Sequence, residues 1–338
     1  MYRTNRNSLL TDIHKPFLLK PAGKDYLWGG DRLNYDFGKN IPMSPLSETW
    51  ECSTHPDGPS TVVSGVFSGL SLPEVLKLHP EFMGTHPRTQ SELPILIKFI
   101  DAKKDLSVQV HPNDEYANKH ENGQLGKTEM WYVLDASPDA KLVYGLHHKT
   151  TPEQMRKAIE TGTLEKYLQK VHIKKDDVFY IEAGTIHAIG AGALIAEIQE
   201  NSNLTYRLYD YDRKDKNGRK RPLHVDKALE VANLESSSEP HQPMRVLKYQ
   251  SGWASELLCR CKYFQVERIM LNTENNQNMV QMQVGSISFN VLLCVGGCGV
   301  IFYGDEALPF FKGDCIFVPA NSVEMHIHGK AALLKVSC

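Results

Sequence analysis

Three short phrases of this chain carry side chains of the kind that hold a metal ion. In LSVQVHPNDEYA (106–117) an extended backbone turns alternate side chains to one side, so Gln109 and His111 project together while Val108 and Val110 face away. In KTEMWYVL, Glu129, Trp131 and Val133 alternate with Met130, Tyr132 and Leu134, and a carboxylate in so apolar a strand needs a partner. His187 follows a tight Ala-Gly-Thr turn in FYIEAGTIHAIG. Two imidazoles, a carboxylate and an amide oxygen form a donor set for zinc or another borderline divalent ion. The chain has 14 histidines, however, and His111 and His187 read equally as hydrogen-bonded core or turn residues.

Such a site needs a frame that gathers three separate stretches. The chain has 338 residues, 41% apolar and 23% charged, which is ordinary globular usage and length enough for about two domains. Lys and Arg number 38 against 40 for Asp and Glu, a net charge of −2, so no broad basic field is present to hold nucleic acid or an anionic membrane. The longest mostly apolar run, Phe289 to Gly304, is broken by glycines and falls short of the roughly 20 residues that span a bilayer. The N-terminal residues lack the apolar stretch of a secretory signal, and seven cysteines without a C-x-x-C pair make no disulfide framework. A cytoplasmic protein with reduced, mostly buried thiols is expected.

Most of the chain reads as short β segments bounded by Gly, Pro, Asn and Asp, among them 94–100, 106–110, 128–134, 177–181 and 194–198. Helical period is found at 72–79, at 151–171, which opens T-P-E-Q, and at 224–234. The polar, proline-containing ESSSEPHQP (235–243) marks a linker and divides the chain into 1–240 and 241–338. Two phrases echo one another, KKDDVFYIEAGTIHAIG at 174–190 and FFKGDCIFVPANSVEMHIHG at 310–329. The expectation is a mainly β protein, two β-barrel units of one kind with a few helical insertions.

Seven phrases then stand in order: YLWGG (26–30), SETWECSTHP (47–56), IKFIDA (97–102), LSVQVHPND (106–114), GKTEMWY (126–132), GTIHAIG (184–190) and TYRLYDYDR (205–213). Together they resemble type I mannose-6-phosphate isomerase (phosphomannose isomerase) in its short bacterial form, from about residue 15 to 230 and more weakly to the end. The resemblance implies cupin-type jelly-roll barrels and one zinc ion per chain on Gln109, His111, Glu129 and His187, with Arg207 as a catalytic cation. It implies interconversion of mannose 6-phosphate and fructose 6-phosphate through an enediol. Lys127, Glu48 and Glu197 are the candidate proton carriers. Lys98, with Lys127, is a candidate for the phosphate, and Trp28 for a wall of the sugar pocket. Each of these side chains reads equally as a rim salt bridge or as core packing. A small sugar phosphate is the expected partner, without nucleic acid or membrane, for a monomer or weak homo-oligomer.

The sequence also departs from the family's phrases. Asn203 stands where Asp is common before the T-Y-R, Glu182 takes the place of a turn Pro, and Asp176 replaces the Gly before Asp177. Asn203 keeps a rival reading open, a sugar-binding or regulatory cupin without turnover, beside an isomerase for another sugar phosphate. Three further features are expected to be bland. Glu324, His326 and His328 share a strand face but lack a fourth ligand, RKDKNGRKR (213–221) reads as a solvated turn, and Cys259 and Cys261 read as strand residues.

Overall fold

The alternation of the short segments lays them into three antiparallel sheets, seen in a computed structural model that describes residues 13–89, 92–214, 217–238, 240, 242, 245–274 and 279–338. A six-stranded sheet runs in the order Val178–Ile181, Glu129–Ala136, Ala193–Glu200, Ile95–Asp101, Glu48–Cys52, Ala22–Lys24. A five-stranded sheet runs Tyr206–Tyr209, Val108–Val110, His187–Ile189, Lys141–Leu146, Leu168–His172. The third, of ten strands, is built mainly from the C-terminal segment between Lys248–Gln250 and Met325–Ser337.

The six-stranded sheet is the middle layer, which is why its strands are apolar on both faces. Ile97, Phe99, Met130, Tyr132 and Ile198 pack against Val291, Phe317 and Leu334 of the ten-stranded sheet. On the other face Ile100, Trp131, Val133 and Ile195 meet Leu142 and Ile189 of the five-stranded sheet. The alternation expected for Glu129, Trp131 and Val133 against Met130, Tyr132 and Leu134 is therefore observed.

Helices cap the layers. Leu72–Leu78 is closed by a Ser71/Glu74 capping box, and Pro152–Glu160 by Thr151, whose hydroxyl accepts from Gln154 N. The expected helix 151–171 stops at Glu160, because Gly162 takes a positive φ of 66° and Leu168–His172 joins the five-stranded sheet as an edge strand. Val225–Val231 forms the third expected helix, and Asp114–His120, capped by Asn113, is one the periodicity did not reveal.

Sheet membership does not follow the division at 240/241. Phe17–Lys20 pairs with Cys315–Val318, and Thr61–Val62 pairs with Phe17–Lys20, so the first strand of the chain completes the C-terminal sheet. Part of the expected linker, residues 239, 241 and 243, lies outside the described residues, as do the first twelve. The seven cysteines are free. Three are buried, Cys298 is exposed and the others lie between, fewer buried thiols than expected. Cys259 lies in the Trp253–Arg260 strand, whereas Cys261 falls just beyond it. Among the described residues no helix is long and apolar enough to cross a membrane.

Candidate active site

Register within the five-stranded sheet sets one wall. Gln109 stands between His187 on one neighbouring strand and Arg207 on the other. His111 follows one residue past the end of its strand, and its carbonyl accepts from Gly184 N at 2.9 Å, tying the two histidine loops together. Gly184 has φ of 92°, and a Cβ there would crowd the carbonyl of Val231, so the turn that delivers His187 needs glycine.

The six-stranded sheet supplies the facing carboxylate. Glu129 is fully buried, with Oε2 3.7 Å from His111 Nε2 and Oε1 3.4 Å from His187 Nε2. His111 Nδ1 bonds the carbonyl of Leu204 and His187 Nδ1 that of Thr185, both at 2.8 Å. A carbonyl only accepts, so each Nδ1 carries the proton and, in a neutral ring, each Nε2 points a lone pair at the carboxylate. Burial, aided by Lys127, holds both rings neutral, pushing His187 down to about 4 and His111 well below its usual range. His111 Nε2 and Glu129 Oε1 are buried without a hydrogen-bond partner. Lone pairs converging on lone pairs call for a cation between them.

The spacing fits one. Tetrahedral donors about 2.1 Å from a zinc-sized ion stand about 3.4 Å from each other. The amide end of Gln109, 3.4 Å from His187 Nε2, adds a fourth donor, since rotation about its last bond exchanges oxygen and nitrogen. Sequence spacing named all four residues, and the fold brings them together.

Beyond this cluster the middle sheet carries a ladder of alternating charge. Lys127 Nζ lies 2.9 Å from Glu129 Oε2 and 3.8 Å from Glu197 Oε1, and Lys98 Nζ lies 3.1 Å from Glu197 Oε1 and 3.9 Å from Glu48 Oε2. Two indoles anchor the carboxylates, Trp131 Nε1 to Glu197 and Trp50 Nε1 to Glu48. Burial alone would raise Glu197, but Lys127, Lys98 and the Trp131 hydrogen bond outweigh it and hold the carboxyl well below its ordinary range. Burial likewise disfavours the Lys98 ammonium, yet Glu197, Glu48 and Glu129 reverse the effect and raise its pKa.

These groups line a cavity of about 310 Å³ between the two sheets, walled by Trp28, Tyr26, Glu48, Lys98, Gln109, Lys127, Glu197 and Arg207. The volume suits a small ligand. Trp28 lines it and also packs in one apolar cluster with Ile100 and Trp131.

A catalytic-domain model of type I phosphomannose isomerase matches residues 17–151, and a mannose-6-phosphate isomerase cupin-domain model matches 255–338. Mannose-6-phosphate isomerase ManA of Bacillus subtilis is 40% identical over 94% of this chain and 97% of its own length. The chain belongs to the type I phosphomannose isomerase family. The mannose-6-phosphate isomerase of Streptococcus mutans is 37% identical over 90% of this chain and 92% of its own. The crystal structure of the Bacillus subtilis mannose 6-phosphate isomerase superposes with a TM-score of 0.86 at 35% identity, covering 96% of this chain and 99% of that one.

Two of the three departures from the family's phrases have structural answers. Asn203 lines the cavity and donates to Asp57 Oδ2 at 3.0 Å, so a carboxylate from another loop stands beside it. Asp176 adopts a left-handed φ of 72°, and its carboxylate accepts from Tyr132 Oη at 2.5 Å and pairs with Arg268 of the ten-stranded sheet at 3.1 Å. At Glu182 the backbone carbonyl accepts from Thr185 N at 3.0 Å, a bond that the usual Pro would also make, and nothing in the structure explains the Glu side chain.

The basic stretch 213–221 is not wholly a solvated turn. Arg213 and Arg221 both pair with Asp210 at 2.5 Å, and Arg221 reaches the cavity wall. Sequence reading passed over Arg221, and over Tyr26, which stacks on Trp28 with ring centroids 5.7 Å apart. Their only signal was position inside or beside a phrase already singled out. The Glu324 and His326 side chains are about half exposed and 3.6 Å apart, while His328 Nδ1 bonds Thr273 Oγ1. Among the described residues His111, Glu129 and His187 alone gather as a metal-ligating cluster.

Proposed function

We propose that the protein interconverts mannose 6-phosphate and fructose 6-phosphate through an enediol, with one zinc ion held by Gln109, His111, Glu129 and His187. The carrying observation is the pair of imidazole Nε2 atoms aimed at a buried carboxylate, that of His111 without any hydrogen-bond partner among the described residues, next to a cavity lined by fixed cations and carboxylates. A divalent ion bound there supplies Lewis acidity toward the sugar oxygens. The four ligands hold and orient it, and Lys127 and Gln109, which touch the cluster and line the cavity, connect it to the substrate space.

Arg207 supports the anionic character of an enediolate, because a guanidinium keeps its charge at working pH. Its bonds run to neutral acceptors, Ser107 Oγ at 3.2 Å and the carbonyl of Pro222 at 3.0 Å, which leaves its charge available to the cavity. Lys98 faces two carboxylates and is only 4% exposed, so the phosphate is better served by Arg207, whose guanidinium has no carboxylate partner among the described residues, and by Arg221, which shares the carboxylate of Asp210 with Arg213. Tyr26 and Trp28 wall the sugar. The proton moving between C2 and C1 is carried by Lys127, Glu48 or Glu197, all of which line the cavity.

Residues 1–240 are read as the catalytic unit and 241–338 as its support, in a cytoplasmic enzyme. The test is a coupled assay offering mannose 6-phosphate to zinc-loaded protein, followed by turnover in heavy water. Turnover with deuterium appearing at C1 of fructose 6-phosphate is expected. Metal retained without turnover on mannose 6-phosphate would favour the sugar-binding cupin.

A further inference from the structure

We propose that His224 is a positioning residue for Arg207, clasping the backbone from which the guanidinium enters the cavity. The two residues are joined reciprocally across 17 positions. Arg207 N donates to His224 Nδ1 at 3.2 Å, and His224 N donates to the carbonyl of Arg207 at 2.8 Å. The same short segment supplies the Pro222 carbonyl to the Arg207 guanidinium and places Arg221 on the cavity wall. Residues 221–224 thus form a strap that grips Arg207 at both ends.

A strap is needed because the ladder alone holds Arg207 loosely. Its strand lies at the edge of the five-stranded sheet, and the register with Val108–Val110 shifts between Arg207 and Tyr209. His224 occupies the N-cap of the Val225–Val231 helix, where a side chain ordinarily accepts from the helix's own first turn, yet it makes no such bond. Its acceptor is turned across to Arg207 instead. A ring nitrogen that accepts a backbone N–H carries no proton, so His224 is the neutral Nε2–H tautomer.

Around the ring stand Arg207 on its strand, Lys227 on the helix, Glu121 after the Asp114–His120 helix, and the Tyr206 ring at 6.4 Å. Burial first, then Arg207 and Lys227, disfavour the imidazolium against the opposing pull of Glu121. Protonation at Nδ1 would set donor against donor and open the clasp.

The inference rests on the reading of Arg207 given above, and the experiment keeps the two apart. Zinc-loaded wild type, Arg207→Ala, His224→Leu, His224→Asn and the Arg207→Ala/His224→Leu double variant are assayed with mannose 6-phosphate, with bound metal measured in each. His224→Leu should keep its metal and lose about tenfold in kcat, while the double variant is no slower than Arg207→Ala. His224→Asn keeps an acceptor at the Nδ1 position without a titratable proton. It should retain kcat within about threefold and lack the acid-side fall in kcat per bound metal that the clasp predicts for wild type. Effects that multiply in the double variant, or His224→Asn as slow as His224→Leu, overturn the clasp. Should Arg207→Ala prove fully active, the reading of Arg207 fails while His224 is still decided by 15N spectroscopy of the ring. A protonated Nδ1 at neutral pH would refute the hydrogen bond itself.

Discussion

Glu197 and Lys98 stand directly opposite each other on adjacent strands, with Oε1 3.1 Å from Nζ and both side chains almost wholly removed from water. At that depth the pair's attraction competes with the cost of desolvating both ions, so its removal is felt mainly through the partner left behind.

Lys98→Met should therefore destabilise the protein by about 3 kcal/mol, because Glu197 and Glu48 lose a shared cation inside the layer. Lys98→Met combined with Glu197→Gln should recover part of that loss. Denaturant unfolding of these two variants and of Glu197→Gln alone checks it, and additive losses would speak against the coupling.

Elemental analysis should find about one zinc per chain in wild type and in His326→Ala, and less than about a tenth of that in His111→Ala or His187→Ala. Thermal stability should fall along with the metal in those two variants, since binding free energy is linked to folding. Loss of metal from His326→Ala alone would place the site in the wrong sheet.

Acid should strip the site before it unfolds the rest. The His187 pKa is pushed down to about 4 by burial, against about 6.5 in an unfolded chain. Between those values the unfolded state binds more protons, so stability is fully present above about pH 6.5 and falls as pH drops toward 4. Thermal midpoints and metal content followed from pH 7 to 4.5 should decline together. His187→Ala should flatten the part of the slope that belongs to this ring.

Arg207→Ala should keep its zinc, because no proposed metal ligand bonds the guanidinium, while kcat falls at least about a hundredfold with a smaller change in KM. A large rise in KM at near-normal kcat would reassign Arg207 to holding the phosphate.

At the junction of the two larger sheets, Arg268 pairs with buried Glu256 at 2.5 Å and Asp176 at 3.1 Å, and donates to Tyr132 Oη at 3.0 Å. Arg268→Leu should cost about 3 kcal/mol by stranding Glu256, and Glu256→Gln in the same chain should restore part of it. An unchanged denaturation midpoint in Arg268→Leu would show that water reaches Glu256.

Local chemistry was legible in the residues themselves. A strand repeats every two side chains whatever lies beside it, so KTEMWYVL alone told that Glu129, Trp131 and Val133 share a face. The same rule paired Gln109 with His111, and the Thr151 cap with its Pro marked where a helix begins, although not that it stops at Glu160. Cross-strand partners lie outside that rule. Glu197 meets Lys98 and Trp131, and Arg207 meets Gln109, through registers that join residues 66 to 100 or so positions apart. Such registers are decided by how whole apolar faces bury against one another, and a slip of one residue would turn every side chain to the other face. Nor does the sequence reveal that Phe17–Lys20 completes the C-terminal sheet, or that Arg221 in a basic loop reaches the cavity. The residue types and their local spacing determined which side chains were able to ligate a metal. Only the stacking of the three sheets decided that two neutral imidazoles and a carboxylate converge beside a cavity, because that convergence depends on burial and register summed over the whole chain.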